Sequence, residues 1–138
     1  MAFDLSNFAN QPRYKSGMGI ASDMGVTIPT GDVVAYVRAG GVQDGMHDDV
    51  ANLLVATLNA GLARCRTGQG DIVVVLPGHA ENVSAADQMS NLVAGTRILG
   101  MGEGSNRPKL TWTTATSTFL LDVDDITIDN FVLQMAAS

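Results

Sequence analysis

From Gly31 onward the hydrophobic and polar positions change period several times. Gly31-Asp32 opens an apolar run of strand length, Val33-Val34-Ala35-Tyr36-Val37, and Gly40-Gly41 and Asp44-Gly45 then mark a loop. Over residues 48–63, Val50, Leu53, Leu54, Leu58 and Leu62 fall near the i, i+3, i+4 spacing of one buried stripe, which predicts a helix. Asp48 and Asp49 suit its positive N-terminal end, Arg64 and Arg66 its C-terminal end, and Gly68 the stop.

Gly70-Asp71 reopens extended structure, and residues 72–76 are apolar at every position. A strand apolar on both faces is buried on both faces. Pro77-Gly78 ends it as a turn, and Ser84 or Asp87 suits the cap of a short helical turn through about Leu92. The last third predicts short strands at 96–99, 109–113, 118–121, 126–128 and 131–133. Strands this short, turning a corner every few residues, describe a coil rather than a sandwich. Ile72, Arg97 and Ile126 begin runs that recur at spacings in the mid to high twenties. Asn130 suits a left-handed corner.

Residues 1–30 lack a sustained period. Phe3, Leu5, Phe8, Tyr14 and Ile20 are scattered among Ser, Asn, Gly and Pro. They predict an extended docking arm with these five as partner-binding anchors, the alternative being a loose tail. The chain thus divides into the arm (1–30), an opening strand with a helix (31–70) and a train of short strands (71–138).

Composition narrows the partners. Charged residues are 16% of the 138, aromatics 5%, and glycines number 15, a surface poor in charge and a chain rich in turns. Net charge is −6, about −1 over residues 1–70 and −5 over residues 71–138. No basic stripe exists to displace counterions from phosphates, and the sign disfavours anionic membranes. Cys65 is the single cysteine, so an internal disulfide is impossible. The start lacks the features of a signal peptide, so the expectation is a protein made in a cytoplasm.

Candidate chemistry is sparse. Asp122, Asp124, Asp125 and Asp129 cluster, but corner aspartates usually bond the local backbone, and no Lys or Arg follows Lys109 to polarise a sugar acid. Position 126 is Ile and no glycine follows, which excludes an EF-hand. Gly100-Met-Gly-Glu-Gly-Ser lacks the third glycine of a dinucleotide loop and the Gly-Lys-Ser/Thr of a P-loop. His47 and His79 have no metal-ligand spacing. Cys65 lies next to Arg64 and Arg66, neighbours of the kind that lower a thiol's pKa, but has no paired histidine and reads as a small core residue. Trp112 suits core or interface equally. Asn82-Val83-Ser84 is a sequon without a secretory signal. No catalytic residue, cofactor or metal is expected.

Two stretches carry a resemblance. The order of strand 33–37, Gly/Asp loop, amphipathic helix and then Gly70-Asp71-Ile72-Val73-Val74-Val75-Leu76-Pro77-Gly78-His79-Ala80-Glu81 resembles the start of pectin-lyase-like right-handed parallel β-helices. Ala94-Gly95-Thr96-Arg97-Ile98-Leu99-Gly100-Met101-Gly102, Asn106-Arg107-Pro108-Lys109-Leu110-Thr111-Trp112, Phe119-Leu120-Leu121 and Ile126-Thr127-Ile128 look like rungs of tailed-bacteriophage virion proteins. The resemblance covers about residues 31–135. It implies an all-β-dominated solenoid with an N-terminal capping α-helix and an extended arm, with Gly70, Asp71, Pro77, Gly78 and Asn130 defining its corners. It also implies a virion protein: a capsid decoration or cement protein, or a head-fibre protein. Its partners would be the major capsid protein or other virion subunits, it would be a homotrimer, and it would bind no nucleic acid or membrane. The alternatives are a glycan-binding tail spike or tail fibre and, further off, a polysaccharide lyase or glycosidase. The apolar strand 131–133 would need covering, by a partner or by further chain.

Overall fold

The computed structural model describes residues 32–136, so the arm and its anchors Phe3, Leu5, Phe8, Tyr14 and Ile20 lie outside the described residues. The elements run β1 (Val33–Val37), α1 (Asp48–Asn52), β2 (Leu54–Val55), α2 (Leu58–Leu62), β3 (Ile72–Val75), β4 (Ala80–Val83), β5 (Arg97–Gly100), β6 (Lys109–Trp112), β7 (Thr127–Asp129) and β8 (Val132–Met135). A five-stranded parallel sheet has the order β2-β1-β3-β5-β7, and a three-stranded parallel sheet the order β4-β6-β8. From β3 onward the chain feeds the two sheets alternately.

Strand register stacks inward-facing side chains in columns. Ala35, Val73, Ile98 and Ile128 form one column across the larger sheet. Glu81, Leu110 and Leu133 form another across the smaller. Val73 and Ile98 are fully buried and Leu110 nearly so, with Val75, Val83, Met89, Leu58 and Leu62 in the same core. Burying one such aliphatic side chain contributes about 1.5–3 kcal/mol, and β3, buried at all four positions, sits at the centre. This is the strand that the unbroken apolar run 72–76 predicts.

Two expectations are corrected. A right-handed parallel β-helix is not what the described residues form: they make two open parallel sheets, and no closed solenoid is found. The segments 84–96 and 113–126, which would have closed a coil, run as turns and irregular chain. The predicted strand 118–121 is among them. Thr118 instead donates its N–H to the Ala85 carbonyl at 3.1 Å, and its hydroxyl accepts from Asp87 N–H at 2.7 Å. The predicted capping helix over 48–63 is also broken, into two five-residue helices separated by β2. Leu54 and Val55 pair with Tyr36 and Val37, and the Leu53 and Val55 carbonyls accept the Tyr36 and Arg38 N–H groups at the edge of the sheet. His47 caps α1 through Nδ1, and Thr57 caps α2 through its hydroxyl.

Corners of the chain place the sheets. Gly78 (φ +80°) turns β3 into β4, and its N–H donates to the Asn106 carbonyl at 2.7 Å; Pro77 before it is exposed. Asn130 (φ +63°) turns β7 into β8, and its Nδ2 donates to the carbonyls of Gly100 and Gly102, both at 3.0 Å. Asn tolerates this left-handed conformation because its short amide bonds locally. Gly100 is required for a different reason: a Cβ there would meet the Asn130 carbonyl oxygen at 2.5 Å.

Candidate functional site

The sheets end in a pair of edge strands. No described strand pairs with the outer side of β7 or of β8. Among the described residues each therefore presents unpaired backbone N–H and C=O groups on that side. The columns that are buried further in emerge here. Ile128, in register with buried Ile98, is 38% exposed, and Leu133, in register with buried Leu110, is 64% exposed. Met135, beside Trp112 in the register, is 68% exposed, and Leu120 and Leu121 in the preceding loop are exposed as well.

Strand alternation decides which side each group takes. Ile128 shares the inward face with Ile98, while Thr127 and Asp129 flank it on the outward face. Leu133 and Met135 share the face of Leu110 and Trp112, and Gln134 takes the other. Leu110, Trp112, Phe119, Leu121, Ile128 and Leu133 consequently line one groove of about 150 Å³ that is almost wholly apolar. Trp112 is half-buried in its wall. In the same stretch of chain, Asp122, Asp124, Asp125 and Asp129 are all exposed, and residues 110–136 contain no Lys or Arg. Asp125 has φ +58°, a left-handed corner that Asp tolerates. Among the described residues no group of three or more His, Cys, Asp or Glu is poised to hold a metal ion.

A buried polar network lies elsewhere, and single-residue reading misses it. His79 is buried; its Nδ1 accepts the Ala39 N–H at 3.0 Å, so Nε2 carries the proton and donates to Glu81 Oε2 at 2.9 Å. The same oxygen accepts the Leu58 N–H at 2.9 Å. The ring thereby ties the β1 loop, the start of α2 and β4 together. Both ring nitrogens are engaged within the fold, so this pair braces elements and is not free to act on a substrate. Its only sequence signal is the His-x-Glu spacing, which places both side chains on one face of a strand.

Asp71 is fully buried, unusual for a carboxylate without a partner. Its Oδ2 accepts from Arg66 N–H at 2.8 Å and Nε at 2.9 Å, and its Oδ1 accepts from Nη2 at 2.7 Å. Arg66 Nη2 also donates to Asp32 Oδ2 at 3.2 Å. The Arg66 hydrogen bonds hold the Asp71 carboxyl below the usual carboxylate range, against the opposing effect of burial. Gly70, with φ +69°, makes the turn that delivers Asp71 into this fork. Cys65 is partly buried, and burial pushes its thiol up, which disfavours the nucleophilic thiolate. A second, larger cavity of about 590 Å³ opens between the loops carrying Arg38, Asp44 and Met46 and the corner at Gly78 and Asn106; its lining holds no histidine, cysteine or hydroxyl side chain.

The described surface therefore offers an apolar groove at the β7/β8 edge, with exposed aspartates in the same stretch of chain. No protein-family model, no curated protein and no solved structure matches this chain.

Proposed function

We propose that this chain is a structural assembly protein of a tailed-bacteriophage virion, a capsid decoration or cement protein or a head-fibre protein that works by binding other subunits. The observation that carries the assembly reading is the apolar groove at the β7/β8 edge. Ile128, Leu133 and Met135 leave apolar surface in water beside unpaired strand edges, and such surface marks an interaction site in a soluble domain. The virion assignment rests on the resemblance of residues 94–128 to phage virion segments. In this reading the arm, with Phe3, Leu5, Phe8, Tyr14 and Ile20, supplies further apolar anchors. Buried aromatic anchors dominate binding energy at interfaces.

The test is localisation. Antibody-labelled electron microscopy of phage particles should place the chain on the head, and purified protein should co-sediment with particles that lack it. Deleting residues 1–30 should abolish that co-sedimentation while the circular-dichroism spectrum remains folded. Absence of the chain from assembled particles removes the virion assignment. Decoration at normal occupancy without residues 1–30 removes the role of the arm.

A further inference from the structure

The β7/β8 edge specifies its occupant more closely than general stickiness. Three features coincide there. The backbone of β7 is unpaired on its outer side among the described residues, so it can accept an added strand. Ile128 points into the groove beside Leu110 and Leu133, so every second side chain of an added strand would face apolar surface. Thr127 and Asp129 point to the opposite face, and Asp124 and Asp125 stand exposed just before the strand begins. On the outward face an added strand would meet the Asp129 carboxylate and Thr127, with Arg97 standing in register behind Thr127 on β5.

Charge decides between a second copy and a different partner. The segment 110–136 carries four aspartates and no cation. Two copies meeting through this face would bring like charges together, which disfavours their association and steers copies apart. The far edge of the same sheet is no better as a mate, because β2 is two residues long and follows Asp48 and Asp49.

We propose that β7 binds a partner polypeptide as an extended added strand whose inward side chains are apolar and whose outward side chains are Lys or Arg. This deepens the assembly reading above and rests on it only for the identity of the particle. The apolar positions supply burial in the groove. The cations on the other face set specificity and make binding weaken as salt rises.

The experiment uses the full 138-residue chain and three fluorescein-labelled ten-residue peptides read by anisotropy. One alternates Val and Lys, one Val and Glu, one Ser and Lys. The Val/Lys peptide should bind at least roughly tenfold tighter than either control, and its affinity should fall with added salt. Asp129→Lys should weaken it by roughly tenfold, and Asp129→Asn by less. Both changes lie on an exposed outward position, so folding checked by circular dichroism should be unaffected. Ile128→Ser should lower affinity for the Val/Lys peptide without changing its salt dependence. Equal affinity for the Val/Lys and Val/Glu peptides, or no binding of either, overturns the proposal. So does a concentration-dependent dimer in sedimentation that Ile128→Ser converts to monomer, since the face would then belong to a second copy. Particle association without peptide selectivity overturns this inference and leaves the assembly reading. Selectivity in a protein absent from particles supports the strand site and removes only the virion assignment.

Discussion

Replacing Gly100 with alanine tests the tightest approach in the fold. Gly100 ends β5, facing the Asn130 corner that joins β7 to β8. An added Cβ would lie 2.5 Å from the Asn130 carbonyl oxygen and 3.1 Å from that of Asp129. Even a close carbon–oxygen contact needs about 3.3 Å, so the corner must retreat by roughly 0.8 Å. The obstacle is backbone, which a rotamer change cannot relieve. Overpacking of this kind costs about 1–3 kcal/mol. The retreat also stretches the two 3.0 Å bonds from Asn130 Nδ2 to Gly100 and Gly102, each contributing about 0.5–1.5 kcal/mol. Gly100→Ala should thus lower unfolding free energy by about 2–4 kcal/mol, the sum of these ranges with the bonds only partly lost. Urea titration followed by circular dichroism measures it, with Trp112 fluorescence as a second probe close to the moved strands. Combining Gly100→Ala with Asn130→Gly should cost less than the sum of the single changes, because both act on the same bonds. A variant within about 0.5 kcal/mol of wild type, the range of inert surface changes, would refute the view that this approach sets the position of the β7–β8 edge.

The columns yield a paired comparison: Ile98→Ala should destabilise by about 2–5 kcal/mol, and Ile128→Ala by well under half that, since Ile98 is fully buried and Ile128 is not. Glu81→Ala should cost more than Glu81→Gln in thermal melts. Alanine leaves the Leu58 N–H and the His79 Nε2–H without their acceptor, at about 1–3 kcal/mol for each buried group, whereas glutamine keeps one oxygen there. For Asp71 the sign follows from its lowered folded value: its contribution is fully present above the ordinary aspartate range and is lost as pH falls through the lower folded value. Asp71→Asn should therefore be less stable than wild type at pH 7, and the gap should narrow towards pH 2 in denaturant titrations.

Legibility of the sequence varied with the kind of signal each element carries. Strands β1 and β3 were readable because unbroken runs of Val and Ile bounded by Gly-Asp and Pro-Gly leave few alternatives. Asn130 was readable because few residues other than glycine suit a left-handed corner. The stretch 48–63 misled because Val50, Leu53, Leu54, Leu58 and Leu62 satisfy a helical stripe equally well when Leu54 and Val55 are withdrawn to pair with β1. Periodicity cannot separate these cases; only the available sheet edge does. Strand β4 was missed for the opposite reason, since Ala80-Glu81-Asn82-Val83 offers one buried apolar residue, and its inward polar position is satisfied by a histidine two residues away. The closed coil was inferred from strand spacing, but spacing constrains only the two sheets that pair, not the irregular segments 84–96 and 113–126. The groove itself, with Trp112 and Phe119 in its wall, required the register between β6 and β8.

The in-register columns also order the molecule in time. Amides of β3 have paired neighbours on both sides and lie in the buried centre, whereas those of β7 and β8, among the described residues, belong to strands held from one side. Opening by local fraying starts where fewest contacts must break, so hydrogen exchange should run inward, from β7 and β8 through β5 and β6 to β3. A bound strand on β7 would turn the outermost layer into an interior one. Occupancy of the edge could then be read as a slowing of exchange at Thr127–Asp129, with no change in the average structure.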